Sequence, residues 1–150
     1  IREKGMKPSS QILKAEKVQV NNKKLADILQ IAVGDEAYRI KRVRLADGTP
    51  LSIEDTHIPY ENAPGLLDHN LKGSLYEIFK EVYERPVIKA DSTISPILLD
   101  KEQAAALKAP VNTPSLMFTL TAFDMRGRTM EHCISVKRGD KYDFRFSIEA

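Results

Sequence analysis

Residues 36–59, EAYRIKRVRLADGTPLSIEDTHIP, decide how this chain folds. Two strand-prone runs, Glu36 to Ala46 and Leu51 to Pro59, flank Asp47-Gly48, a dipeptide that readily takes the positive φ angles of a tight hairpin turn. Strand side chains alternate, so Tyr38, Ile40, Arg42 and Arg44 leave the first run on one face. Tyr38 and Ile40 look core-facing, which puts the two arginines at the far end of a partly apolar surface. The register decides what meets them. A two-residue Asp47-Gly48 loop pairs Arg42 with Ile53 and sends Glu54 to the other face. A three-residue loop, Ala46 to Gly48 with Gly48 as the bulge glycine, pairs Arg42 with Ser52 and brings Glu54 onto the arginine face.

Outward from the hairpin, the chain reads as further strands and three helices. Ile12 to Val20 is strand-like. Asn22 can cap a short helix carrying Leu25, Ile28 and Leu29 at helical spacing, with Gly34 as its stop. After a loop over residues 59–73, Ser74 to Glu84 reads as an amphipathic helix with Leu75, Ile78, Phe79 and Val82 on one side. Ser74 and Glu77 form a possible capping box, and Pro86 stops the helix. Val87 to Leu98 is a strand, and Asp100 with Gln103 opens an alanine-rich helix that Pro110 ends. Ser115 to Asp124 and Thr129 to Arg138 form a second hairpin around Arg126-Gly127. Tyr142, Phe144, Phe146 and Ile148 alternate with polar residues and predict a closing strand with one buried face. Six or seven strands linked by hairpins, with three helices, predict an α+β domain, a mainly antiparallel sheet flanked by helices. No repeat or linker divides the chain, so residues 1–150 are read as one domain.

Composition narrows the function classes. The 150 residues are 42% hydrophobic and 29% charged, a globular balance. The net charge of +2 comes from interleaved acids and bases without a basic stripe, so this segment is not expected to grip DNA itself. No apolar run is long enough to span a bilayer, and the first residues lack a signal-peptide core. The chain begins on Ile1 in charged residues and is read as a piece of a longer protein. Its single cysteine, Cys133, excludes an internal disulfide and suits a reducing cytoplasm. Cys133 reads as a small core filler, with His132 pointing to the opposite strand face. His57, His69 and His132 make no metal-ligand spacing, and no glycine-rich phosphate loop follows a strand, so neither metal nor cofactor is expected. Arg138-Gly139-Asp140 is read as a turn between strands.

The residues that could carry chemistry are charged. Arg42 and Arg44 would suit a phosphate or carboxylate, because buried guanidiniums need anions and their donors match oxyanions. Spacing alone favours the plainer alternative, a solvated strand edge paired with Asp or Glu. Ser74 starts a helix, where free N–H groups attract anions, and it equally serves as an ordinary cap. Glu54 and Glu131, on different strands, could accept from sugar hydroxyls or pair with lysines. No credible nucleophile or poised acid–base pair is visible, so no enzyme is expected.

In order along the chain, these pieces resemble the ligand-binding (UTRA) domain of GntR-type regulators of the HutC subfamily. The matching stretches run from Arg42 to Pro50, then Glu54 with Ile58-Pro59, Gly73 to Ile78, Glu102 with the alanines before Leu107, Phe123 to Glu131, and Arg138 to Phe144. The resemblance implies a chorismate-lyase-like fold and a cytoplasmic homodimer. It also implies an N-terminal winged helix-turn-helix domain, outside this stretch, that contacts DNA. Members sense small metabolites, often phosphorylated sugars, others compounds such as urocanate. The positions matching Arg42, Arg44 and Ser74 hold phosphate, and those matching Glu54 and Glu131 hold the sugar. Lys137, Arg138 and Tyr142, around the closing turn, complete the expected ligand contacts. Two departures stand out. A Ser-Phe-Thr-like segment that helps hold phosphate would precede Arg2 to Gly5, and Lys137 replaces a tyrosine found in some sugar sensors. A lysine there can recruit a further acidic group, such as the carboxylate of a phosphate-bearing conjugate. The expectation is an effector-sensing domain for a small anionic metabolite. The rivals are a lyase-like enzyme on the same fold and a ligand-free dimerisation module.

Overall fold

The computed structural model describes residues 6–145 and 147–149. Six strands form one sheet: β1 (Pro8–Gln19), β2 (Glu36–Ala46), β3 (Thr49–Pro59), β4 (Lys89–Leu98), β5 (Pro114–Phe123) and β6 (Thr129–Arg138). Their order is β1-β2-β3-β6-β5-β4, and every neighbouring pair is antiparallel. Three α-helices join them: α1 (Lys23–Leu29), α2 (Leu75–Glu81) and α3 (Lys101–Leu107), with two single 3-10 turns at Tyr60–Asn62 and Leu66–Asp68. The expected α+β class, an antiparallel sheet flanked by helices, is what the chain adopts.

Each face of the sheet has its own core. On one, Tyr38 and Ile40 of β2 and Ile58 of β3 pack with Leu75 and Phe79 of α2 and with Ala63, Leu66 and Leu71 of the preceding loop. On the other, Val43, Ile53 and Val136 meet Leu99, Ala104 and Leu107 around α3, while Ala26 and Leu29 of α1 cover Val20 and Ala37. The caps follow local chemistry. Asn22 Oδ1 accepts from Leu25 N, and Asp100 with Gln103 closes a reciprocal capping box. Ser74 Oγ accepts from Glu77 N at 3.3 Å, without the return bond that Glu77 was expected to make.

The structure corrects three local expectations. Helix α1 ends on Gln30, whose φ of 60° is the left-handed cap, and Gly34 lies in the turn beyond it. Gly139 has no need of a positive φ. A Cβ there would overlap the Pro114 carbonyl, so close backbone approach explains the glycine. No seventh strand forms over residues 142–145 or 147–149, while Phe146, named in that expectation, lies outside the described residues along with residues 1–5. In place of a ladder, the Tyr142 and Phe144 rings stack at 5.5 Å and Phe144 lies 5.8 Å from Phe118 of β5.

Candidate effector site

The hairpin register brings the site together by a route that neither sequence alternative contained. The turn is the two-residue one, with Ala46 opposite Thr49 and Leu45 opposite Pro50. The register then shifts, so that Arg44 pairs with Ser52 and Arg42 with Glu54. One extra residue on β3, a β-bulge at Leu51, restores the parity that puts Glu54 on the arginine face. Across β3 the pairing continues, Ser52 with Lys137 and Glu54 with Ser135 of β6. Arg44, Ser52 and Lys137 therefore form one row across three strands, and Arg42, Glu54 and Ser135 the next.

These rows floor a cavity of about 390 Å³, lined also by Ser74, Tyr76, Phe118, Glu131, Cys133 and Tyr142. Seven of the eight residues expected from the sequence meet there: Arg42, Arg44, Glu54, Ser74, Glu131, Lys137 and Tyr142. Arg138 does not, and this corrects the expectation. It follows Lys137 on the strand and so leaves the opposite face. Its guanidinium, 6% exposed, pairs with both Asp140 oxygens at 3.0 and 2.8 Å and donates to the Leu107 carbonyl at 3.0 Å. Arg138 ties the chain end to α3.

The two strand arginines do different work. Arg42 is buried, donates from Nη1 to the carbonyls of Leu71 (2.8 Å) and Gly73 (2.7 Å), and from Nη2 to Glu54 (2.9 Å). It anchors the loop that leads into α2. Its Nε, also buried, has no partner. Arg44 is half-buried and makes no hydrogen bond or ion pair among the described residues. Ser74 is exposed, and α2 spans seven residues, so the helix start acts chiefly as a cap.

Glu131 is 6% exposed, and burial pushes its carboxyl up to about 7. The Tyr76 hydroxyl facing it restrains the rise, while Glu54 adds to it. Lys137 sits between the rings of Phe118 (5.5 Å) and Tyr142 (5.3 Å), and burial lowers its proton affinity. Burial raises the Tyr142 hydroxyl in turn. Tyr142 comes near Ser52, yet Ser52 Oγ has no well-formed hydrogen bond. Cys133 lines the cavity instead of filling the core. Burial pushes its thiol up to about 12, which disfavours the thiolate form. His132 points the other way and meets Thr121 Oγ1 at 2.9 Å. Among the described residues no three His, Cys, Asp or Glu side chains are grouped to hold a metal. No helix among them is long and apolar enough to cross a membrane.

Ser52, Tyr76 and Ser135 were missed from the sequence. The strand parity was the available signal, since Ser52 and Ser135 keep step with Glu54 and Lys137. A larger hollow of about 970 Å³ adjoins the cavity, lined by Ile94, Leu116, Phe118 and Phe144 among others. Its charged residues, Asp47, Lys141, Asp143 and Arg145, are all exposed, so it lacks the converging buried polar groups of the smaller cavity.

Residues 3–143 match the family model of the UTRA domain. The chain belongs to the UTRA domain family. This UTRA domain is 31% identical over 144 residues to the HTH-type transcriptional repressor NagR of Bacillus subtilis, a match covering 96% of the chain and 59% of the repressor. It is 30% identical over 131 residues to the HTH-type transcriptional repressor PhnF of Mycolicibacterium smegmatis, covering 84% of the chain and 52% of that protein. The chain thus spans little more than half the length of these relatives. Among solved structures, the effector domain of PhnF from Mycobacterium smegmatis superposes with a TM-score of 0.92 at 25% identity, over 99% of this chain and 91% of that one. The ligand-binding domain of a putative GntR-family transcriptional regulator from Bordetella bronchiseptica shares the fold, with a TM-score of 0.85 at 22% identity over 95% of this chain and 90% of that one.

Proposed function

We propose that this UTRA domain is the effector-sensing part of a cytoplasmic GntR-type transcription regulator of the HutC subfamily. It binds a small anionic metabolite, a phosphorylated sugar or sugar conjugate, and does not turn it over. One observation carries the reading: the cavity presents Arg44 and Lys137 with no carboxylate within ion-pair distance of either among the described residues. Cations held in a partly desolvated recess favour an anionic ligand. The volume, about 390 Å³, suits a sugar-sized molecule. The relatives NagR and PhnF are named as repressors, and a third, 26% identical over 116 residues, is the mannosyl-D-glycerate transport/metabolism system repressor MngR of Escherichia coli.

In this reading the ligand's phosphate lies against Arg44, the free Nε of Arg42 and Ser74, while Glu54 and Glu131 hold its hydroxyls. A second copy completes a homodimer, and an upstream winged helix-turn-helix domain contacts DNA. The effector shifts DNA affinity by binding one dimer arrangement better than the other. No cofactor takes part. A thermal-shift screen of phosphorylated sugars and amino-acid metabolites selects the ligand, since binding to the native state raises Tm. Calorimetry on Arg44→Ala then tests the site. We expect affinity to fall at least about tenfold with Tm little changed. Unchanged affinity removes the proposed site, and mass-spectrometric turnover of the ligand would restore the enzyme reading.

A further inference from the structure

Beyond that reading, and resting on it, we infer that the cavity floor holds a second oxyanion seat built from Ser52, Ser135 and Lys137, and that the effector is a bis-acid carrying a carboxylate for it. Four buried side-chain polar atoms lack hydrogen-bond partners among the described residues: Ser10 Oγ, Arg42 Nε, Ser52 Oγ and Ser135 Oγ. The last three belong to residues that line this one cavity. Buried polar atoms are nearly always satisfied, so even with the Tyr142 hydroxyl near Ser52, three such atoms around one recess mark where ligand atoms belong.

Lys137 supplies the charge. Its ammonium lies near two aromatic rings, and it has no ion pair among the described residues. The carboxylate it senses most, Glu54, is already bonded to Arg42 at 2.9 Å. Ser52 lies directly across from Lys137, and Ser135 two residues before it on the same face. The seat therefore offers one cation and two hydroxyl donors on adjacent strands. That set matches a planar monoanion. A second phosphate dianion would be opposed by the nearby Glu54. Arg44 is on β2 and Lys137 on β6, with β3 between, so the two seats stand two strand spacings apart, roughly 10 Å at the backbone. Long side chains reach inward from both ends, and a short carbon chain can bridge what remains.

The test uses probe pairs that differ by the carboxylate: 6-phosphogluconate against sorbitol 6-phosphate, and 3-phosphoglycerate against glycerol 3-phosphate, with inorganic phosphate as the single-anion reference. Calorimetry should show at least one phosphocarboxylate binding about tenfold or more tighter than its partner. Lys137→Met should erase that preference, and Ser135→Ala should reduce it in part. Thermal melts confirm that both variants fold. Equal affinity within both pairs, or a preference that survives Lys137→Met, overturns the inference. If inorganic phosphate still binds and is lost in Arg44→Ala, the anion site stands and the bis-acid falls alone. If none of the probes binds, both readings fall.

Discussion

Replacing Glu131 by glutamine should change how stability depends on pH, and the sign follows from its burial. The carboxyl titrates near 7 in the folded chain against an ordinary value of 4.5. Between those values the native state keeps a proton that the unfolded chain has released, so rising pH favours unfolding there. The stability that Glu131 gives in its acid form is fully present below about 4.5. It is lost progressively up to about 7, after which the curve is flat. From pH 5 to pH 8 the linkage amounts to roughly 2–3 kcal/mol. Glutamine keeps the shape, the amide can still donate, and the ionisation is gone. In thermal melts free of phosphate, Glu131→Gln should gain on the wild type by about 5–10 °C between pH 5 and pH 8 for a domain of this size. A difference between the two proteins that stays constant over that range refutes the reasoning. It would mean that Glu131 is solvated or fully compensated by Arg42.

Two further substitutions separate structural guanidiniums from the one proposed to face the ligand. Arg42→Met removes three donated bonds and leaves Glu54 and two carbonyls facing a buried apolar chain. Chemical denaturation should show a loss of about 3–5 kcal/mol, and a loss under 1 would mean the loop before α2 is held otherwise. Arg138→Ala should cost about 2–3 kcal/mol by the same assay, through its bonds to Asp140 and the Leu107 carbonyl. Its anion affinity should stay within about twofold of wild type, because the side chain lies across the sheet from the cavity, and a larger loss would return Arg138 to the site.

Much of the fold was legible because local signals agreed with one another. Asp47-Gly48 marked its turn, and the alternation of Tyr38, Ile40, Arg42 and Arg44 marked its face. Asp100 and Gln103 marked the start of α3. What escaped was settled by contacts distant in sequence. The extra residue at Leu51 has no local signature. It is fixed where β3 must also pair with β6, so that Ser52 meets Lys137 and Glu54 meets Ser135. The alternation of Tyr142 and Phe144 is real but carries no strand over the described residues; the Phe144 ring instead packs against those of Tyr142 and Phe118.

The site was legible as a set of charges but not as a division of labour among them. Period-two alternation already forbids adjacent Lys137 and Arg138 from sharing a face, yet it cannot say which of them looks into the cavity. Arg42 and Arg44 pose the converse problem, since they share a face, a residue type and a strand. Their difference comes from depth. Arg42 lies next to Ile40 and under the loop of Leu71 and Gly73, where carbonyls and Glu54 satisfy most of its donors. Arg44 lies nearer the turn and has no hydrogen-bond or ion-pair partner among the described residues. A buried guanidinium must be satisfied by the protein in every state, whereas one at the mouth can wait for a ligand. On the proposed reading, binding specificity therefore resides in the cations the fold leaves over. By that criterion Arg44 and Lys137, standing in one row with Ser52 between them, should set which metabolite is recognised, while Arg42 keeps the floor in place beneath it.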